Sequence, residues 1–110
     1  MNDYGCINSV YDTIIDRRDH PAEKSYTRYL FEQGIDKVLK KIGEESAEII
    51  IAAKNGGNGE TVGEIADLTY HVLVLMAQQG ITPADIEAEL EKRHGKAGNL
   101  KTFNQTDRNT

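Results

Sequence analysis

Apolar residues recur at helical spacing along most of the chain, and each periodic stretch ends at a glycine, a proline or a polar turn. The first stretch, residues 7–17, predicts a helix with Asn8 or Ser9 as its N-cap. This helix should end before Pro21, because the residue that precedes a proline is pushed away from the helical region. Residues 25–33 predict a short helical turn that follows it.

A second long helix is predicted at residues 35–54, and its pattern is amphipathic. The apolar stripe consists of Ile35, Val38, Leu39, Ile42, Ile49, Ile50 and Ala53. The opposite side carries the charged residues Lys37, Lys41, Glu44, Glu45 and Glu48. The glycine-rich segment 55–59 then predicts a turn that folds the next helix back beside this one.

A third helix is predicted at residues 61–79, and it is apolar nearly all round between Ile65 and Ala77. A helix with this pattern is usually buried on most sides. Four short helices offer too few partners to bury it within one chain. We therefore expect a second subunit to complete the bundle, as an isologous homodimer.

A fourth helix is predicted at residues 82–94, with Thr82 as N-cap and Pro83 in the first helical position. The fold class is therefore all-α, with four main helices. We expect residues 1–98 to form a single domain, and the polar tail at residues 99–110 to be mobile.

Composition narrows the function classes. The formal charge of −5 and the pI near 5.1 argue against non-specific binding to nucleic acid or to an acidic membrane. Cys6 is the only cysteine, which excludes an intrachain disulfide and suits a reducing compartment. The chain shows neither a signal peptide nor an apolar run long enough to span a bilayer. We expect a soluble cytoplasmic protein.

Two acidic pairs, Glu45-x-x-Glu48 and Glu64-x-x-Asp67, carry the strongest chemical signal. The spacing places both carboxylates of a pair on one face of a helix, and the turn between the helices brings the pairs together. Four such charges repel one another unless a cation lies among them. The all-oxygen donor set favours Mg²⁺, or Mn²⁺, over Zn²⁺. The alternative is that these acids are ordinary solvated helix surface.

Other polar residues near the pairs have more than one candidate role. Glu44 can be a further ligand, a group behind the ligands, the base that activates water, or an exposed helix residue. His71 can orient Asp67 through a hydrogen bond, although a satisfied core histidine is the commoner case. The cations that can meet phosphate oxygens, or can be merely solvated, are Lys37, Lys40, Lys41, Lys54, Arg93 and His94.

Several motifs closely resemble those of the phosphoribosyl-ATP pyrophosphohydrolase family, over residues 25–98. They are Ser25-Tyr26-Thr27, Leu30-Phe31, Gly34, Lys37, Lys40-Lys41-x-Gly43-Glu44-Glu45-x-x-Glu48, Ala52-Ala53-Lys54, Glu64-x-x-Asp67-Leu68-x-Tyr70-His71 and Leu90-Glu91-x-Arg93-His94. The wider group of all-α MazG-type nucleotide pyrophosphohydrolases shares only the acidic pairs. The Ser-Tyr-Thr and Lys-Lys-x-Gly-Glu-Glu elements are what favour the phosphoribosyl-ATP pyrophosphohydrolase family within that group.

The resemblance implies the second step of histidine biosynthesis, in which phosphoribosyl-ATP and water give phosphoribosyl-AMP and pyrophosphate. It also implies an obligate dimer and Mg²⁺ dependence. In some members a cyclohydrolase domain precedes this one, and since the segment before Ser25 is too short for it, we expect the cyclohydrolase on a separate chain. By position it implies metal ligands at Glu45, Glu48, Glu64 and Asp67, with Glu44 closely associated.

A mechanism reasoned from the residues agrees with the resemblance. In it, Glu44 or Glu48 orients or deprotonates the attacking water. Lys37, Lys41, Lys54 and Arg93 are the candidates for substrate binding. Two rival functions remain open: a house-cleaning nucleotide pyrophosphohydrolase of the same architecture, and a helical dimerisation module without catalysis.

Overall fold

A computed structural model describes residues 5–95, which form five α-helices and no strand. The helices are α1 (Gly5–Asp19), α2 (Tyr26–Gln33), α3 (Ile35–Lys54), α4 (Asn58–Gln79) and α5 (Pro83–His94). The all-α prediction is confirmed. The additional helix is α2, which was expected as a short turn and is capped by the Ser25 hydroxyl, 3.2 Å from the Arg28 amide. The predicted mobile tail lies outside the described residues.

Two helices are longer than their apolar pattern predicts. In α1, the expected caps Asn8 and Ser9 lie inside the helix, because regular structure already begins at Gly5. In α4, the first turn incorporates part of the glycine-rich segment, and the Thr61 amide donates to the Gly57 carbonyl at 2.9 Å. Polar and glycine residues are tolerated in a first helical turn, whose amide groups have no intrahelical acceptor.

The ends of α4 and α5 follow their sequence signals. Gly80 ends α4 in the left-handed conformation, with φ of +72°, which a residue without a Cβ adopts without strain. Thr82 and Asp85 then form a capping box, in which each side chain bonds the other residue's amide at the start of α5. The predicted fourth helix is thus confirmed at both ends.

The antiparallel pair of α3 and α4 is the most extensively packed part of the fold, and α1 and α2 cover one side of it. Ile14, Leu30, Val38 and Val74 are fully buried, one from each of these four helices. The Tyr11 hydroxyl donates to the Ile81 carbonyl at 2.7 Å and so ties α1 to the connection between α4 and α5. The other buried members of the core are Tyr11, Leu73, Met76 and Ala77.

The buried face of α3 differs from the predicted stripe. Val38, Glu45 and Ala52 are its buried residues, seven positions apart, whereas Leu39 and Ile50 remain 47% and 64% exposed. The placement of Glu45 on the exposed polar side was therefore wrong. α2 and α4 pack against α3 and cover the line on which Glu45 lies.

Several apolar residues stay exposed within the single chain. α5 has no buried residue, and Ile86 and Leu90 on it are 45% and 48% exposed. Together with residues of α1 and α4 such as Ile7, Leu68 and Val72, they line an apolar groove of about 700 Å³. Within residues 5–95, none of the helices is both long and apolar enough to cross a membrane.

Candidate metal and phosphate site

The packing of α3 against α4 brings the two acidic pairs together. Glu48 on α3 and Glu64 on α4 lie side by side, near enough for protonated Glu64 to hydrogen-bond to Glu48. Glu45 and Asp67 lie close enough for their charges to act on Glu64 as well. The helix pairing expected from the turn at residues 55–57 therefore brings the other three carboxylates within electrostatic reach of Glu64.

The electrostatics of this cluster are those of acids crowded together. The main cause that raises the pKa of Glu64 to about 7 is the hydrogen bond that its protonated form donates to Glu48. Partial burial raises it further, as do the negative charges of Glu48, Asp67 and Glu45. Two carboxylates can share a hydrogen bond only if one of them is protonated. In the absence of metal, the proton on Glu64 therefore reduces the negative charge of the cluster. A bound cation can reduce that charge in place of the proton.

Beside the cluster lies an open cleft of about 440 Å³. The α4 side of the cleft is formed by successive turns of that helix, on which Glu60, Gly63, Glu64 and Asp67 face the opening. Glu48 lines it from α3, together with Ile51 and Ala52. Carboxylate oxygens thus line a space with room for a phosphate-bearing ligand.

Glu45 is the buried member of the cluster. It is 9% exposed, and its Oε1 lies 2.7 Å from Nδ1 of His71, which is 5% exposed. That nitrogen also lies 2.9 Å from the main-chain carbonyl oxygen of Asp67, with which its hydrogen is aligned. Oε1 of Glu45 therefore has no hydrogen bond of good geometry from the part of the chain that the structure describes.

These side chains fit a hard divalent cation chemically, although they do not form a closed cage. Among residues 5–95, no three acidic, histidine or cysteine side chains already surround one point closely enough to coordinate an ion. The buried Glu45 oxygen nevertheless lacks an aligned donor, and Glu48 lies next to the like-charged Glu64. Glu48 and Asp67 are exposed and free to change rotamer toward an ion.

The basic candidates lie at different distances along the helices. Lys41 lies one turn before Glu45 on α3, with its Nζ 4.0 Å from Glu44, which is exposed. Lys37 lies a further turn away, with its Nζ 5.8 Å from the centre of the Tyr29 ring. Lys54 is exposed in the last turn of α3. Of these three lysines, Lys41 is the nearest in sequence to the acidic residues of α3.

Arg93 is not brought to the carboxylates within one chain. It lies near the end of α5, where its Nε is 3.0 Å from Glu89. In the described part of the chain α5 packs against α1 and makes no contact with α3. His94 lies in the same last turn. A role for either residue at this site stays a prediction.

Three tyrosines, Tyr26, Tyr29 and Tyr70, form a cluster whose role does not follow from the sequence pattern. The Tyr26 ring stacks with the rings of Tyr29 and Tyr70, at centroid distances of 6.0 and 6.2 Å. Its hydroxyl lies 2.8 Å from Nε2 of His71. Burial, and next the negative charge of Glu45, raise the pKa of Tyr26. The Ser-Tyr-Thr motif marked Tyr26, but only the fold shows what it contacts.

Residues 5–95 form only helices, and acidic residues of α3 and α4 face each other across the antiparallel pair. This arrangement is that of an all-α MazG-like protein. The chain belongs to the phosphoribosyl-ATP pyrophosphohydrolase family, whose sequence model matches residues 7–94. It is 54% identical over 106 residues to the phosphoribosyl-ATP pyrophosphatase of Clostridium botulinum, covering 96% of each chain. It is 56% identical over 96 residues to that of Pelotomaculum thermopropionicum, covering 87% of this chain and 98% of the relative.

A third relative has a different domain arrangement. The histidine biosynthesis bifunctional protein HisIE of Lactococcus lactis is 52% identical over 103 residues, which cover 94% of this chain and 49% of that protein. The family thus occurs both as single proteins and as part of a longer one. A cyclohydrolase on a separate chain stays a prediction.

Proposed function

We propose that this chain hydrolyses phosphoribosyl-ATP to phosphoribosyl-AMP and pyrophosphate, the second step of histidine biosynthesis. Family membership and the names of the relatives support the substrate. The observation that carries the chemistry is the gathering of four carboxylates beside an open cleft. A cleft lined by acids can accept a triphosphate only with a cation between them, because the charges otherwise repel.

The residues that would hold Mg²⁺, or Mn²⁺, are Glu45, Glu48, Glu64 and Asp67. When bound, the cation neutralises the charge that develops on the leaving pyrophosphate. Glu45 offers an oxygen without a hydrogen-bond donor, and Glu64 offers one that gives up a proton near neutral pH. Both features favour binding of a cation, which would give the Glu45 oxygen a partner and replace the proton of Glu64.

A carboxylate of α3 orients the attacking water and accepts its proton. Glu48 lines the cleft directly, whereas Glu44 is exposed and lies beside Lys41. Glu48 can therefore reach a water in the cleft, and Glu44 can do so once a bound substrate draws Lys41 away. Both residues remain in the proposal; Glu44→Gln tests the base role by itself, because Glu48 is also a proposed metal ligand.

Lys37, Lys41 and Lys54 bind phosphate oxygens that the cation does not cover. All three lie on α3, before or after the acidic residues. The phosphoribosyl group supplies binding energy remote from the reacting triphosphate, and this energy positions the triphosphate. The enzyme should therefore have a far higher kcat/KM for phosphoribosyl-ATP than for ATP.

A homodimer completes the bundle, with the second copy covering the groove between α1, α4 and α5. The groove is lined by apolar residues of α4 and by the exposed Ile86 and Leu90 of α5. A helix with no buried residue gains little from packing in a single chain. Burial against a second copy removes this apolar surface from water and fixes α5.

Product analysis with phosphoribosyl-ATP, ATP, dUTP and dCTP, each with Mg²⁺, tests the proposal. We expect phosphoribosyl-AMP and pyrophosphate, and much slower turnover of the other nucleotides. Comparable kcat/KM values for all four would favour a house-cleaning pyrophosphohydrolase. No turnover of any of them, with a stability indifferent to Mg²⁺, would favour a dimerisation module.

A further inference from the structure

The ring of His71 is held at both nitrogens, although the hydrolytic chemistry has no direct use for it. On one side Nδ1 lies 2.9 Å from the main-chain carbonyl oxygen of Asp67. On the other side Nε2 lies 2.8 Å from the hydroxyl of Tyr26, which comes from α2. His71 is 5% exposed, so these contacts replace those that water would make.

The partners of the ring determine which nitrogen carries hydrogen. A carbonyl oxygen can only accept, so Nδ1 carries the hydrogen that is donated to Asp67. The Tyr26 hydroxyl then donates to Nε2. Tyr26 is in turn held edge-on to His71, with ring centroids 5.7 Å apart and an interplanar angle of 88°. One tautomer and one ring orientation follow from this arrangement.

The fixed ring edge limits where the Glu45 carboxylate can lie. Nδ1 of His71 is 2.7 Å from Oε1 of Glu45, while its hydrogen is aligned with the carbonyl of Asp67. Oε1 is thus held by contact and is left without a well-aligned donor. A buried carboxylate oxygen that is held against a fixed ring and has no aligned donor keeps its capacity to receive a cation.

We propose that Tyr26 is a positioning residue, which acts through His71 to hold the buried Glu45 carboxylate in the orientation that binds the divalent cation. The inference rests on the proposed metal site. It adds a residue from α2 to a site otherwise built from α3 and α4. Tyr26 touches neither the cation nor the reacting phosphate in this proposal.

The test is Mn²⁺ binding, measured by electron paramagnetic resonance on the full chain without substrate. Tyr26→Phe removes the hydroxyl and keeps the ring, and we expect it to raise the Mn²⁺ dissociation constant at least ~10-fold, as for other groups that orient metal ligands. Tyr29→Phe is the matched control, because it removes a hydroxyl from the neighbouring tyrosine of the same helix. The control should bind Mn²⁺ like the wild type.

A double-mutant cycle with His71→Asn shows whether Tyr26 acts through His71. Asparagine can keep a donor near the position of Nδ1 but cannot reach the Tyr26 hydroxyl. If Tyr26 works through His71, adding Tyr26→Phe to His71→Asn should weaken Mn²⁺ binding little further. If the double variant loses as much Mn²⁺ binding free energy as the two single variants together, the proposal is overturned. Melting in the presence of chelator checks that the variants fold, and if His71→Asn does not, the comparison of Tyr26→Phe with Tyr29→Phe decides.

The outcomes for the metal site and for the positioning role are separate. If the wild type binds Mn²⁺ and Tyr26→Phe binds it equally well, the positioning role is overturned and the metal site stands. If the wild type does not bind Mn²⁺, both are overturned. A weakened Tyr26→Phe whose kcat recovers at saturating Mg²⁺ would support the role, because the ligands themselves are unchanged.

Discussion

Replacing Glu48 by glutamine, or Asp67 by asparagine, should nearly abolish turnover while the fold stays intact. Each change removes one charge at almost unchanged volume from a side chain that is exposed in the single chain. Exposed substitutions away from special features usually change the free energy of unfolding by less than about 0.5 kcal/mol. In the metal-free protein the loss of one of four crowded charges should, if anything, favour folding, since these acids raise the pKa of Glu64.

The effect on catalysis should be much larger than the effect on stability. A cation ligand acts on charge that develops in the transition state, so we expect kcat to fall at least ~100-fold, equivalent to about 2.7 kcal/mol of activation free energy. Steady-state kinetics with phosphoribosyl-ATP at saturating Mg²⁺ measures kcat, and circular dichroism measures helix content. Glu32→Gln is the control, since Glu32 is an exposed acid on α2 that pairs with Arg28 instead.

The reasoning is refuted if either variant keeps more than about half of the wild-type kcat, a difference below ~0.5 kcal/mol. It is also refuted if activity and helix content are lost together, because the acids would then be needed for folding. A loss of kcat with unchanged helix content, absent from Glu32→Gln, is the result expected.

Further predictions concern the cation, the cleft and the second subunit. Mg²⁺ at 100 times its dissociation constant should stabilise the fold by about 2.7 kcal/mol and raise Tm, and chelator should reverse this. Without metal, Tm should fall as pH rises through about 7. The raised pKa of Glu64 means that the folded state binds the proton more tightly than the unfolded state does, so its loss removes stability. A pH-independent Tm would contradict this. Gly63→Ala should raise the free energy of unfolding by about 0.5–1 kcal/mol, since the added Cβ meets nothing within 4 Å. It should nevertheless lower kcat/KM, because Gly63 lines the cleft. A fully active variant would show that the cleft is not used. Ile86→Glu should yield monomer or unfolded chain in light scattering, whereas Leu39→Glu, at similar exposure but outside the groove, should remain dimeric.

The sequence by itself determined the helices and the acidic pairs. Helix ends depend on neighbouring residues, so Thr82 with Asp85 and the left-handed Gly80 appeared where their local signals predicted. The three-residue spacing of the acids likewise fixes which face of a helix they share. The glycine-rich turn added the antiparallel pairing, and with it the meeting of Glu48 and Glu64.

Only the tertiary structure decided which of these acids is buried and what holds it. The periodic pattern placed Glu45 with the exposed charges, but the packing of α2 and α4 on α3 encloses it. The contact between Tyr26 and His71 joins residues 45 positions apart, and the one between Thr27 and Tyr70 joins residues 43 apart. Helical spacing describes neighbours within a turn or two, whereas such contacts depend on how whole helices are placed against each other.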